Sequence, residues 1–401
     1  MKAIKYIFSS LLLTATAANA QNIMTSSPYS MFGIGEIVTG LYGSNSAMGG
    51  VSTGMRHSSL INTENPAGLS GLDSCRLFAE TSAFAKSELY KSKSGSSDAF
   101  SGNVSAFALA GRIMPRWYMA AGLTPYSSVG YYFQSTQPLE GSPNSYYTST
   151  FEGYGGLSKV YLTNAFMLSK HLTVGVNLNY IFGNIKASEN QGSMTVENKM
   201  YTNAFYADFG IQYHRNIAKD KSITLGAVYG YKQHLKMDNS TIITNGNVET
   251  EESDKSSSQY IPQYMGIGGS LVYRKWTYAL DYKFQQYSSM ISNDSRVKFK
   301  DAHEVRAGVC FFPNGYSSSS YWKRMSYKAG LDVSTPYMNI SGQSGLSWRA
   351  SLGFGLPVSN GQINAALFYD RTKLKNNTYQ KDVIGITVTY TLSELFYKIK
   401  L

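Results

Sequence analysis

Few residues in this chain have the type and spacing that chemistry needs. His303-Glu304 opens a string that zinc hydrolases continue to a second histidine on the same helical face. Here it continues Val305-Arg306-Ala307, and a strand would point its first two residues to opposite sides. The five histidines stand apart at 57, 171, 214, 234 and 303. Gly50-Val51-Ser52-Thr53-Gly54 matches G-x-S-x-G as a string, but it lies in a segment without the alternation of the strand that a nucleophile elbow needs before it, and no phosphate-binding P-loop occurs. Cys75 and Cys310 are the two cysteines, too few for a disulfide scaffold or a thiolate zinc site. They could pair in an oxidising compartment, but sequence does not place their Cα atoms. Glu249, Glu251, Glu252 and Asp254 form an acidic run without EF-hand spacing. It reads as a solvated loop tip, with calcium bridging to lipopolysaccharide or a partner as the alternative. The expectation is a non-enzyme with no cofactor and no metal.

The elements that must position whatever function remains are strands. Of 401 residues, 43% are hydrophobic and only 15% charged, with 32 Tyr and 37 Gly. That balance excludes a disordered chain, and past the N-terminus no 18-residue apolar run suits a spanning helix. Lys2 and Lys5, the apolar Ile7–Ala18 and the small residues Ala18-Asn19-Ala20 read as a secretory signal over 1–20, with Gln21 as the mature start. A net charge of +11, which becomes +9 (34 − 25) once Lys2 and Lys5 leave with the signal, lets an exported protein meet anionic lipid headgroups or polysaccharide, lipopolysaccharide among them. No basic cluster suggests nucleic acid.

From Leu77 onward one theme repeats, about ten to thirteen residues of alternation and then a polar break. Leu172, Val174, Val176, Leu178, Tyr180 and Phe182 share one face, while Thr173, Gly175, Asn177 and Asn179 share the other. Trp276–Phe284 and Ile384–Leu392 alternate in the same way. The expected strands are 77–90, 100–112, 116–126, 155–169, 171–185, 201–214, 221–235, 260–274, 276–290, 298–312, 324–334, 346–356, 362–371 and 382–393. Their connections alternate in length. Long ones fall at 127–154, 186–200 and 236–259, and tight ones at Ser169-Lys170, Arg274-Lys275 and 358–361.

Even strand number, export and loop sorting together predict an all-β fold, a 14-stranded antiparallel transmembrane β-barrel over 77–401 in the bacterial outer membrane. Trp117, Tyr118, Tyr273, Trp276, Trp322 and Trp348 would form its interface girdles. Inward parity gives Asp208, Gln212, Asp281, Lys283, Glu304, Arg306, Lys328, Asp332, Arg349 and Asp370 as a polar lumen network. With both signs present, it reads as structural pairing rather than a selectivity ring. Val176→Arg, facing lipid, should cost roughly 2–4 kcal/mol, and Asn177→Arg much less. Residues 21–76 precede the first strand, do not alternate, and are rich in glycine, from Gly33 and Gly35 to Gly68 and Gly71. They are too few for an independent core and are expected to fold as a plug in the barrel.

Ser46-Ala47-Met48-Gly49-Gly50-Val51, Asn65-Pro66-Ala67-Gly68-Leu69, Asp301–Gly308 and the final strand Asp382–Leu392 resemble the FadL/TodX family. Ser27–Ser30 with Phe32–Glu36 resembles an opening box of family members from Bacteroidota. The resemblance spans nearly the whole mature chain. It implies a fourteen-stranded barrel with an N-terminal hatch, marked by Gly49, Gly50, Asn65, Pro66, Ala67 and Gly68. It also implies uptake of long-chain fatty acids or other hydrophobic compounds, leaving sideways through a gap in the wall. Residues 127–154 hold few bulky aliphatics, and Ser393–Leu401 run past the last strand. The rival expectation is a non-transporting barrel that scaffolds a larger outer-membrane secretion or protein-assembly complex. Membrane lipid, a hydrophobic ligand and protein partners are therefore the expected contacts.

Overall fold

A strand with one apolar and one polar face leaves unpaired backbone at its edges, which lipid does not tolerate unless the sheet closes. In the computed structural model it closes. The structure describes residues 27–38, 43–92, 95–138, 145–246, 248–253, 257–292, 297–313, 320–340, 343–374 and 379–395. The expected signal segment and the start at Gln21 lie outside these residues.

Fourteen antiparallel strands follow in chain order. They are β1 (Arg76–Ser92), β2 (Gly95–Met114), β3 (Trp117–Pro138), β4 (Tyr146–Met167), β5 (Leu172–Gln191) and β6 (Met194–Ala218). β7 runs as Lys221–Gly230 and Gln233–Asn245, and β8 as Val248–Ser253, Ser257–Ile261 and Tyr264–Tyr273. β9 (Trp276–Gln285), β10 (Ala302–Phe311), β11 (Ser326–Ser334), β12 (Gly345–Val358), β13 (Gly361–Leu374) and β14 (Tyr379–Leu395) complete the set. β14 pairs with β1 from Arg76↔Leu395 to Ser92↔Tyr379, joining the two ends of the sheet.

The alternation fixes which face meets lipid. Leu178, Ile267, Leu280, Leu352, Leu367 and Ile384 are exposed, and their strand neighbours point inward. At the short-turn end Trp276 packs 4.5 Å from Phe311, and Trp117 stacks 5.7 Å from Phe166. At the other end of β9, Phe284 lies 5.2 Å from His303. Trp276 to Phe284 is eight steps, about 27 Å of strand, which matches an apolar band about 25 Å tall. Tyr118 does not join the girdle. It is buried, because adjacent strand residues cannot both face lipid.

Three expected loops are largely strand among the described residues. Residues 127–138 with 146–154, 186–191 with 194–200, and 236–245 with 248–253 and 257–259 carry β3 to β8 upward as paired strands, so these six strands form a one-sided wing. β6, at 25 residues, is about 80 Å long, where a membrane strand needs only about 9–11 residues. Outside lipid both faces are wet, so the alternation fades although β-prone residues such as Thr241–Ile243 persist. Glu249, Glu251 and Glu252 lie on this wing opposite Thr244, Ile242 and Thr241, and Asp254 lies outside the described residues.

Candidate functional site: the filled lumen and the split in its wall

The inner wall receives the N-terminal segment on a belt of glycines. Gly175, Gly210, Gly226 and Gly268 on one side, with Gly308 and Gly330 further round, lie flush against its backbone. A Cβ on Gly210 would overlap the Asn65 side chain, and one on Gly330 would overlap the Gly49 amide. Gly49 has φ +68°, a left-handed conformation that favours glycine. Gly50 offers its carbonyl to Arg306 Nη1 at 3.0 Å.

Asn65 is fully buried and caps the 3₁₀ turn Pro66–Gly71 by accepting from the Ala67 amide at 3.1 Å. Its own amide donates to Thr53 O at 2.7 Å. Pro66 at the first helical position gives up an N–H that would have no partner there. Ala67 and Gly68 are buried beside it, and a Cβ on Gly68 would crowd Asn62.

The ten residues read from parity as inward are buried or half-buried, and their partners are specific. Asp281 accepts from the Ser52 and Thr53 amides at 2.6 and 2.8 Å. Gln212 donates to Thr53 O and Met55 O at 3.1 and 3.0 Å. Asp208 accepts from Asn177 and Asn179 at 2.6 and 2.7 Å. Asn177 also donates to Thr63 O and accepts from Thr163. Asn177→Arg would therefore break a packed network, and the expectation that it is cheap is corrected. Lys328 donates to Ser44 O at 2.9 Å and Asn364 Oδ1 at 2.8 Å. Arg306 binds Glu304 at 2.8 Å, Glu64 at 2.9 Å and Asp332 at 3.4 Å. Arg349 pairs with Asp370 through a second bond of 2.8 Å, and Lys283 lies 4.9 Å over the Tyr264 ring.

Burial alone would raise the Glu64 carboxyl, but Arg306, Lys283 and the Ser52 hydroxyl hold it below its ordinary value. Burial, assisted by the positive Lys328, pushes the His57 imidazole down to about 4.

Above Asn179 the inward face changes character. Val129, Leu157, Ile181, Ile185, Leu235 and Ile261 point into an apolar chamber, so the lumen is not polar throughout. Ile34, with none of its surface exposed, fills this chamber from the N-terminal segment.

The wall parts at the same level. The β2–β3 ladder runs only from Met114↔Trp117 to Phe107↔Leu123. Pro125 follows, with no N–H to offer a neighbour, and the β3–β4 register shifts between Pro125 and Ser127. Above it β2 stays with β1, and β3 with β4. Into this split the two-residue strand Glu36–Ile37 adds itself, pairing antiparallel with Ser128 and Ser127. Val38 N donates to Tyr126 O at 3.1 Å, and Ser30 Oγ exchanges bonds with Gly130 N and O at 3.0 and 3.1 Å. Lys381 holds Glu36 at 2.6 Å and Glu88 at 3.0 Å, and Lys86 meets the same Glu88 oxygen. A cavity of about 250 Å³ opens beside this strand, bordered by Tyr29, Glu36, Val38, Lys86 and Tyr379.

Sequence parity did not single out Lys86, Glu88, Lys381, Glu36 or Glu64. Lys86 and Glu88 share the inward parity of Phe84 on β1, and Lys381 that of Val383 on β14, whereas Glu36 and Glu64 lie in the non-alternating N-terminal segment and had no parity signal. The inward glycines of β5–β8, β10 and β11 also carried a legible signal. Cys75 is exposed and Cys310 buried, and both are free thiols.

A closed fourteen-stranded cylinder with an apolar outer band and a lumen packed with hydrogen-bonded polar groups is an outer-membrane β-barrel. Solved structures share this fold. The Pseudomonas putida toluene transporter TodX matches with TM-score 0.57 at 14% identity, over 94% of this chain and 100% of that one. A Pseudomonas aeruginosa FadL homologue matches at 0.55 and 11%, over 94% and 100%. The Ralstonia pickettii toluene transporter TbuX matches at 0.53 and 15%, over 88% and 98%. These neighbours are of the FadL/TodX type, and those named for an activity are transporters rather than enzymes. Among curated proteins no sequence match is found. The BamG family model matches residues 2–401, and the chain belongs to the BamG family.

Proposed function

We propose that this barrel admits small hydrophobic compounds, long-chain fatty acids or similar, with residues 21–76 as its plug and the β2–β3 split as its side exit. One observation carries the reading: Ile34 and Glu36–Ile37 occupy the apolar chamber and the wall split together. Lifting one short segment would expose an apolar site and a route from it into the bilayer. Burial there would supply binding at about 25 cal/mol per Å². The charged border of the cavity favours cargo with a polar end.

Ile37 and Ser127 form a non-hydrogen-bonded antiparallel pair, whose Cα atoms lie about 4.5 Å apart, within disulfide reach. In a Cys75→Ser background, Ile37→Cys with Ser127→Cys should stop uptake of labelled oleate or toluene when oxidised and restore it when reduced. Equal uptake in both states would remove the side exit from the proposal.

The wing supports a second reading, a non-transporting barrel that scaffolds a larger outer-membrane secretion or protein-assembly complex. Six strands standing above the membrane on one side serve no passage through the wall. Purification in mild detergent followed by mass spectrometry separates the readings: bound lipid or small ligand favours the first, and stoichiometric protein the second.

A further inference from the structure

We propose that the upper edge of β3, Tyr132–Thr136, receives an added β-strand from a second protein, running antiparallel to β3. The inference rests on the scaffold reading and names the surface and the mode of attachment.

Backbone N–H and C=O groups alternate sides along a strand. Ser128 faces the split, where Glu36 pairs with it, and Gly130 faces it too, where Ser30 bonds its N–H and C=O. The same alternation turns the backbones of Tyr132, Gln134 and Thr136 to that side. Among the described residues no strand pairs with them there, since β3 at this height pairs only with β4. Among the described residues the edge is thus a ladder that Ser30 and Glu36–Ile37 begin and no strand continues.

Edge strands are usually guarded by charge, a bulge or proline. From Trp117 to Pro138 there is no charged residue, and Pro138 lies beyond the open stretch. The opposite edge of the wing, at Val248–Ser253, carries Glu249, Glu251 and Glu252. One edge of the wing is therefore protected and the other is not. Beside the open edge, Tyr131 and Phe133 lie 6.0 Å apart, and Phe133 stacks on Phe151 at 5.1 Å. That strip would take apolar side chains at alternate positions of the added strand.

A second copy of this chain fits poorly. Barrels in one membrane share an orientation, so its β3 would arrive parallel. Its acidic β8 edge would find no cation on β3.

Tyr132→p-benzoylphenylalanine, irradiated in intact cells, should form an adduct with one protein, and peptide mapping should place it in an extended segment with apolar residues at alternate positions. Gln134→Pro, which removes an edge N–H, and Gln134→Lys, which adds a guard charge, should each abolish the adduct while the barrel keeps its heat-modifiable migration. The same probe at Thr250, on the acidic edge, should give none. No adduct, an adduct with lipid or with this chain itself, or one that survives both Gln134 changes overturns the proposal. If a protein complex still co-purifies undiminished with both variants, the edge assignment fails while the scaffold reading stands. If no protein accompanies the wild type, the scaffold reading itself fails.

Discussion

Lys381 Nζ on β14 lies 2.6 Å from Glu36 Oε1 on the N-terminal strand and 3.0 Å from Glu88 Oε1 on β1. One cation thus ties the short strand that covers the wall split to the wall itself. Glu88 has no exposed side-chain surface, so its charge depends on Lys381 and Lys86. Lys381→Met should cost on the order of 3 kcal/mol, because it leaves a buried carboxylate short of a counter-charge. The loss should be local. Hydrogen exchange at Ile37 and Val38 should speed up while the barrel amides stay protected. Adding Glu88→Gln should recover part of the loss, and uniform loosening would contradict the latch.

Arg306 stands among three carboxylates, two from the wall and one, Glu64, from the N-terminal segment. Arg306→Met removes the charge that lets them sit together and should destabilise by about 3–5 kcal/mol. Glu64→Gln in the wild type should cost far less, since Glu304 and Asp332 still hold the guanidinium. Urea midpoints in detergent would rank the two, and equal midpoints would refute the central role of Arg306.

The wall was legible in the sequence because lipid imposes a period of two. Leu172–Phe182 could be assigned to a face residue by residue, and with it the inward positions of Asp208, Asp281, Arg306 and Arg349. Where lipid stops, so does the signal. Nothing in Tyr146–Phe151 or Val248–Ser253 marks a strand by alternation, and both proved to be strand. The apolar chamber was missed for a related reason. Ile181 and Ile185 are inward, yet their type says outward, because the N-terminal Ile34 rather than water covers them. No local pattern shows which distant segment will lie against a given face. The glycines at 175, 210, 226 and 268 held that information, because repeated loss of a side chain on the inner face marks where another backbone must approach.

The glycine belt makes a positional prediction. Gly210→Val should displace the Asn65–Pro66 turn, at a cost of about 1–3 kcal/mol for overpacking. Gly269→Val should be tolerated, because the nearest atom to an added Cβ is the flexible end of Leu225 at 3.2 Å. Protease nicking within 43–75 is the measurement, with a cut expected in Gly210→Val and not in Gly269→Val. Resistance in both would mean the segment does not depend on the belt.

His57 gives the docked segment a pH dependence whose sign follows from its environment. Its imidazole ordinarily titrates near 6.5 and is held at about 4 here, first by burial and then by the positive Lys328. The docked segment therefore carries His57 neutral, and the released segment binds a proton more readily. Stability of docking is complete above about pH 6.5, declines as pH falls from there towards 4, and levels off below. Hydrogen exchange of residues 52–72 at a series of pH values, corrected for intrinsic rates, should show that decline. His57→Gln should flatten it without a large change at pH 8, where the wild-type ring is already neutral. A decline that persists unchanged in His57→Gln would assign the dependence to the carboxylates around Arg306 instead, whose protonation would also loosen the Glu64 contact.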